Sequence, residues 1–145
     1  MRRVLVLLVA LAGLTGLASG VANADFRLIP PAPCSDAAKA CVHLSSRSAW
    51  MMDRGKVVWG PTMALPGKPG FDTPPGSFRV SFKERDFWST AYNGPMNFAV
   101  FFNGGMAFHE GSLRVMSHGC VHLNRRAAIA FFDYLNPGDV VEVVS

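Results

Sequence analysis

Two apolar runs joined by an Asn-Gly pair constrain this chain more than any other feature. Residues 98–102 and 105–109 flank Asn103 and Gly104. Asn-Gly readily adopts the positive backbone angles that a two-residue hairpin turn requires. The segment therefore predicts two antiparallel strands, with His109 at the end of the second.

Most of the remaining chain also favours strands. Residues 77–82 alternate Phe78, Val80 and Phe82 with polar neighbours, which is typical of a half-buried strand. Residues 83–95 are polar and irregular, and predict a loop. Aromatic and β-branched content between turn signals predicts further extended segments: residues 41–53 (broken near Ser45), 56–63, 119–123 and 140–144.

One helix is predicted, over residues 125–135. Asn124 is a favourable N-cap, and Asn136-Pro137-Gly138 ends the segment. Many strands with one late helix predict a mainly β fold, a sandwich or barrel with one prominent helix after Cys120.

The N-terminus has the pattern of a secretory signal peptide. Arg2 and Arg3 precede an apolar run, and Ala22-Asn23-Ala24 forms a small-x-small cleavage site. An uncleaved membrane anchor is the alternative, but the strongly apolar part falls short of the roughly 20 residues that a span requires. We expect a signal peptide over residues 1–24, a Pro/Ala-rich tether over 25–40, and one domain over 41–145. The protein is expected to be secreted to the cell envelope, with no membrane span after cleavage.

Charge and composition exclude two classes of function. Twelve Lys and Arg and ten Asp and Glu follow residue 24, which leaves a net charge of +2. These charges are scattered, whereas a nucleic-acid binder clusters its cations. The many Phe, Val and Trp residues argue against intrinsic disorder.

Three cysteines remain after the predicted cleavage site. Cys34 and Cys41 are close in sequence and are expected to form a disulfide in an oxidising compartment. Cys120 is left over, and a leftover cysteine in an exported protein is an intermolecular link, a buried structural thiol or a reactive thiol.

The segment Ser117-His118-Gly119-Cys120 favours the reactive thiol. A cysteine nucleophile needs a nearby base, and a glycine lets backbone amides approach a substrate oxygen. His109 and His118 are both candidate bases, and the sequence pattern leaves the choice open. A metal site of His118, Cys120 and His122 is a further alternative, although the paired spacing of structural zinc sites is missing.

The chain resembles the catalytic domain of the L,D-transpeptidases over residues 41–145. The resemblance rests on five motifs in order along the sequence: Thr73-Pro74-Pro75-Gly76-Ser77-Phe78, Ala107-Phe108-His109, Ser117-His118-Gly119-Cys120-Val121, the helix that follows, and Gly138-Asp139-Val140-Val141.

The resemblance implies a role for each matching position. Cys120 would be the nucleophile, and His109 would donate and accept the proton. The main-chain carbonyl of Glu110 would orient His109, and Gly119 with the Cys120 amide would form the oxyanion hole. His118 would support the site. Phe108, Ser117 and His122 would contact the substrate, with Ser117 also ordering the loop.

The implied reaction is an acyl transfer without cofactor or metal. The thiolate attacks a peptidoglycan stem tetrapeptide, D-alanine leaves, and an amine from a second stem resolves the thioester as a 3→3 cross-link. Stem peptides and carbapenem-type inhibitors are the expected ligands, nucleic acid is not, and a monomer is expected.

The chain departs from the family pattern in three places. His122 stands where many relatives carry Arg or Asn, Glu110 stands where small residues are common, and the interval between His109 and Cys120 is short. Two rivals follow: an L,D-carboxypeptidase, with water as the acceptor, and a catalytically silent wall-binding module.

Overall fold

The computed structural model describes residues 31–145, and the predicted signal peptide with the first part of the tether lies outside the described residues. The described part contains nine strands and one helix. No helix in this part is long and apolar enough to cross a bilayer. In chain order the elements are β1 (Ala40–His43), β2 (Ser48–Asp53), β3 (Lys56–Met63), β4 (Gly76–Arg79), β5 (Phe82–Ser89), β6 (Gly94–Asn103), β7 (Met106–Glu110), β8 (Val121–Leu123), α1 (Arg125–Tyr134) and β9 (Val140–Val144).

The strands form two sheets. The first has the order β3-β2-β1-β9-β4, in which β1 and β9 run parallel and the other pairs antiparallel. The second has the order β5-β6-β7-β8, in which β7 and β8 run parallel. The mainly β fold with one prominent helix is confirmed.

The predicted hairpin joins β6 to β7. Asn103 ends β6, and Gly104 has a φ of 54° at the turn. Glycine takes this left-handed conformation without the steric cost that a Cβ imposes. His109 is consequently the penultimate residue of β7, near the end of the strand as predicted.

The helix closes the core over the second sheet. The Asn124 side chain accepts a hydrogen bond from the Ala127 amide, which is the predicted N-cap. Phe131 is fully buried and packs its ring against Phe108 of β7, with centroids 5.0 Å apart. Both sheets and the helix contribute to this largest apolar cluster, so the core fixes β7 relative to α1.

Two sequence predictions require correction. Residues 77–82 do not form one strand, because β4 ends at Arg79 and β5 begins at Phe82 in the other sheet. Residues 83–95 are not an irregular loop, because β5 continues to Ser89. Lys83 donates hydrogen bonds to the carbonyls of Phe132 and Leu135 at the end of the helix, a tertiary contact that local patterning does not reveal.

The segment before β1 is packed rather than free. Cys34 and Cys41 form the predicted disulfide. Ser35 hydrogen-bonds the carboxylate of Glu142 on β9 through its amide and its hydroxyl. Ala38 is 1% exposed. Packed residues therefore extend upstream of the predicted boundary at residue 41, at least as far as Ala32.

We expect Cys34→Ser to destabilise the domain while leaving Cys120 chemistry intact. A bridge across a seven-residue separation is worth about 2–3 kcal/mol in the chain-entropy description, or roughly 10 °C in Tm for a domain of this size. Thermal unfolding of wild type and variant measures the effect, with dithiothreitol-treated wild type as the matched control. An unchanged Tm would show that the bridge contributes nothing to stability.

Candidate active site

The parallel pairing of β7 with β8 brings the candidate catalytic residues to one face. His109 lies beside His122, and Phe108 lies beside Val121. Side chains alternate across a strand, so His109 and His122 share a face, and Phe108 and Val121 point to the other. Cys120 immediately precedes β8 and lines the same cavity as His109.

His109 is held in one orientation. Its Nδ1 donates a hydrogen bond to the Glu110 carbonyl at 2.7 Å, so the lone pair of Nε2 is available as a base. The side chain is buried, with 6% of its surface exposed. Burial lowers the pKa of His109 to about 4, the bond to the Glu110 carbonyl opposes this shift, and the neighbouring His122 adds to it. The imidazole is therefore neutral at pH 7.

Cys120 carries a protonated thiol in the resting protein. Burial raises the pKa of the Cys120 thiol, and a hydrogen bond with the Ala107 backbone opposes the shift. The sulfur lies 3.8 Å from the Gly105 carbonyl oxygen. It is the only free cysteine in the described part of the chain. The pair is thus a thiol with a neutral imidazole, which is suited to base-assisted attack.

The turn before Cys120 is tied by Ser117. Its hydroxyl donates to the Cys120 carbonyl at 2.5 Å and accepts from the Gly119 amide at 3.0 Å. Because the Gly119 amide is engaged, it is not free for a substrate oxygen. The implied oxyanion role of Gly119 therefore requires correction, and the Cys120 amide is the remaining candidate donor. Gly119 instead supplies a φ of 114°, which side chains rarely tolerate.

Thr73 anchors the same turn from the loop between β3 and β4. Its buried hydroxyl donates to the Gly119 carbonyl at 2.8 Å and accepts from the Gly67 amide at 3.0 Å. A Cβ at Gly67 would lie 2.8 Å from the Gly119 nitrogen, so the two backbones touch. Thr73 is the first residue of the Thr73–Phe78 motif, but the sequence alone indicated no role for it.

The ring of His118 belongs to an aromatic cluster. Tyr92 stacks on its imidazole with ring centroids 4.6 Å apart, and Phe71 meets it edge-on at 4.7 Å. Tyr92, from the turn between β5 and β6, and Phe71 were not found by sequence reasoning, since their partner is distant in the chain. The geometry therefore favours His109 over His118 as the base.

Two cavities meet at Cys120. One of about 260 Å³ is lined by His109, Ser117, His118 and His122 among others. The other, of about 470 Å³, is lined by Phe87, Phe101, Met106 and Tyr92 among others. Cys120, Tyr92 and His118 line both. The sulfur is therefore accessible from two sides of the Tyr92–His118 stack.

Glu110 is fixed through its side chain as well as its backbone. Its carboxylate pairs with Arg125, the first residue of α1, at 2.9 Å. This links the carbonyl that orients His109 to the start of the helix. An exposed ion pair of this kind contributes little to stability. Its effect is to hold Glu110 in place beside the start of the helix.

One expectation and one alternative do not fit the geometry. Phe108 is fully buried in the core between Phe102 and Phe131, so it cannot contact a substrate. The alternative metal site also lacks support, because no group of three His, Cys, Asp or Glu within residues 31–145 is arranged to hold a metal ion. The predicted substrate contact of Phe108 was wrong because side chains alternate along β7, and Phe108 points to the face opposite His109.

Comparison with known proteins identifies the family of this domain. The family model of the YkuD L,D-transpeptidase catalytic domain matches residues 37–143. The chain belongs to the L,D-transpeptidase catalytic-domain family. Among curated proteins, no sequence matches this chain significantly.

Solved L,D-transpeptidases share the fold. One from Stackebrandtia nassauensis is 30% identical, with a TM-score of 0.70 over 73% of this chain and 54% of its own. One from Mycobacterium smegmatis is 25% identical, with a TM-score of 0.65 over 72% and 57%. LdtMt1 in complex with imipenem is 28% identical, with a TM-score of 0.65 over 71% and 56%. This chain spans little more than half the length of these structures.

We expect acidification to destabilise the fold through His109. Its pKa is about 4 when folded and about 6.5 when unfolded. The unfolded chain binds the extra proton between these values, so the free energy of unfolding falls as pH falls from 6.5 to 4, by up to roughly 3 kcal/mol. Urea unfolding at pH 7 and pH 4.5 measures this loss. It should shrink in His109→Gln but not in His43→Gln, which removes a partly exposed histidine. Equal losses in all three proteins would contradict the assignment.

We expect Thr73→Val to loosen the turn that carries Cys120. The change keeps the shape but leaves the Gly119 carbonyl and the Gly67 amide without their buried partner, at a cost of roughly 2–4 kcal/mol. Thermal unfolding and the rate of Cys120 alkylation by iodoacetamide report on stability and on the turn. Thr62→Val on β3 is the matched control. A Thr73→Val protein with wild-type stability would show that the hydroxyl anchors nothing.

Proposed function

We propose that this protein is an exported L,D-transpeptidase that uses Cys120 as its nucleophile on peptidoglycan stem tetrapeptides. The observation that carries the proposal is the shared cavity of Cys120 and His109, with Nδ1 of His109 committed to the Glu110 carbonyl. Membership of the family supports the reaction class. The signal-peptide pattern of residues 1–24 supports export to the cell envelope.

The first half of the proposed reaction forms a thioester. Nε2 of His109 takes the thiol proton as Sγ of Cys120 attacks the carbonyl carbon of the third stem residue. The Cys120 amide donates to the oxyanion that develops. When the intermediate collapses, the bond to the D-alanine nitrogen breaks, and the His109 imidazolium returns its proton to that nitrogen. A low pKa makes the imidazolium a ready donor.

The second half transfers the acyl group. An amine from a neighbouring stem loses its proton to His109 and attacks the thioester carbonyl, and the sulfur leaves with the proton. The product is a 3→3 cross-link. The two cavities that meet at Cys120 provide separate routes for the acyl donor and the amine. This arrangement favours an amine acceptor over water, which would make the protein a carboxypeptidase.

We expect a carbapenem to acylate wild-type protein once and Cys120→Ala not at all. A relative has been solved in complex with imipenem, and the strained lactam carbonyl presents the same electrophile as the stem peptide. Intact-protein mass spectrometry measures the adduct. His109→Gln should form it at least 100-fold more slowly, because general-base assistance typically contributes that much. Asp72→Asn, a change on the exposed loop between β3 and β4, should react like wild type.

Product analysis separates the remaining functions. A stem tetrapeptide incubated with wild-type protein and a second stem should give a cross-linked dimer and free D-alanine. Tripeptide without dimer would identify a carboxypeptidase. A protein that forms neither product nor a carbapenem adduct would be a wall-binding module, and the proposal would be wrong.

A further inference from the structure

His122 lies in the candidate active site but has no part in the proposed proton transfers. Its ring meets that of His109 edge-on with centroids 4.8 Å apart. It lines the smaller cavity together with Cys120 and His109. A histidine in contact with the base and facing the same cavity has a position from which it can contact substrate.

Two backbone carbonyls fix which nitrogen of His122 faces a ligand. Nδ1 lies 2.9 Å from the Ser112 carbonyl oxygen and 3.2 Å from that of Val115. Carbonyl oxygens only accept hydrogen bonds, so Nδ1 carries a hydrogen in both protonation states. Nε2 is therefore the nitrogen that is left to meet a ligand. A Cβ at Gly111 would lie 2.6 Å from the ring, so the loop closes tightly around this side of the imidazole.

Among the described residues that line this cavity, only three histidines can carry a positive charge: His122, buried His109, and exposed His118, whose ring stacks on Tyr92. None of the described residues that line the cavity is Lys, Arg, Asp or Glu. On the packed elements, Glu110 is paired with Arg125, and Lys68 lies over the Phe71 ring. Arg114 is exposed on the loop, Cys120 holds a thiol, and buried His109 is neutral.

We propose that His122 binds a carboxylate of the substrate, and that it does so only when protonated. Neutral His122 presents a lone pair at Nε2, which repels a carboxylate, whereas the imidazolium presents a charge-assisted donor. The inference rests on the proposed function, in which the fourth stem residue carries a free carboxylate close to the reacting carbonyl.

In this proposal the two adjacent imidazoles have different roles: His122 binds the carboxylate, and His109 accepts the proton. A positive charge on His122 disfavours a second positive charge on His109, so the base stays neutral while the carboxylate is bound. Binding and proton abstraction therefore require opposite states of two rings in contact. A cation such as Arg at this position would bind the carboxylate at every pH, so histidine adds a dependence on acidity.

A pair of probes that differ only in the carboxylate tests this proposal. Meropenem and its methyl ester, which lacks the free carboxylate, are incubated separately with full-length protein between pH 5.5 and 7.5, and the acylation rate of Cys120 is measured by mass spectrometry. The ratio of the acid rate to the ester rate cancels the titration of the thiol and any change in loop order. Because only the imidazolium donates from Nε2 to the carboxylate, the ratio should rise severalfold as the pH falls from 7.5 to 5.5.

Three variants separate charge from structure. His122→Asn should give a low ratio that does not change with pH, and His122→Arg a high ratio that does not change with pH. His43→Asn removes a histidine outside the site and should behave like wild type. Should His122→Asn not fold, His122→Arg and wild type still decide the question.

The outcomes are distinguishable. A wild-type ratio that is flat with pH, or a rise that persists in His122→Asn, would overturn the role of His122 while leaving the proposed function intact. Absence of an adduct with both probes would overturn the proposed function, and this inference with it.

Discussion

The parallel ladder between β7 and β8 is the constraint on which the site depends. It sets His122 beside His109 and puts Cys120 on the same side of the sheet. The opposite faces of the two strands carry buried core residues, among them Phe108 and Val121. A one-residue slip in this ladder would exchange the two sets. The packed core consequently fixes the position of Cys120 relative to His109, so a substitution that shifts this strand register would disturb both the core and the site.

The remaining geometry comes mainly from hydrogen bonds to backbone groups, and the Glu110–Arg125 ion pair adds one charged contact. The Glu110 carbonyl orients His109, the Ser117 hydroxyl closes the turn before Cys120, and Thr73 clamps that turn from another loop. Neutral hydrogen bonds to fixed backbone atoms keep their geometry as pH or salt changes. A site built in this way holds its shape while its imidazoles change protonation state.

Local signals predicted the elements but not their partners. Asn103-Gly104 carries its turn chemistry within two residues, so the hairpin was predictable. Residues 83–89 contain a run of four charged side chains and show no alternation of apolar and polar residues. They form a strand only because β6 pairs with them. The choice between His109 and His118 was likewise unavailable from sequence, because it depends on strand register and on the stack with Tyr92. Phe108 was misassigned although strand alternation alone placed it opposite His109.

Burial of the Cys120 thiol also has a consequence for the lifetime of the protein. Peroxides and disulfides react with the thiolate form of cysteine, and a raised pKa leaves little thiolate at neutral pH. Cys34 and Cys41 are already bonded to each other, so neither offers a free thiol for exchange with Cys120. In the proposed mechanism the thiol is deprotonated only as it attacks, so Cys120 would react slowly with oxidants between turnovers.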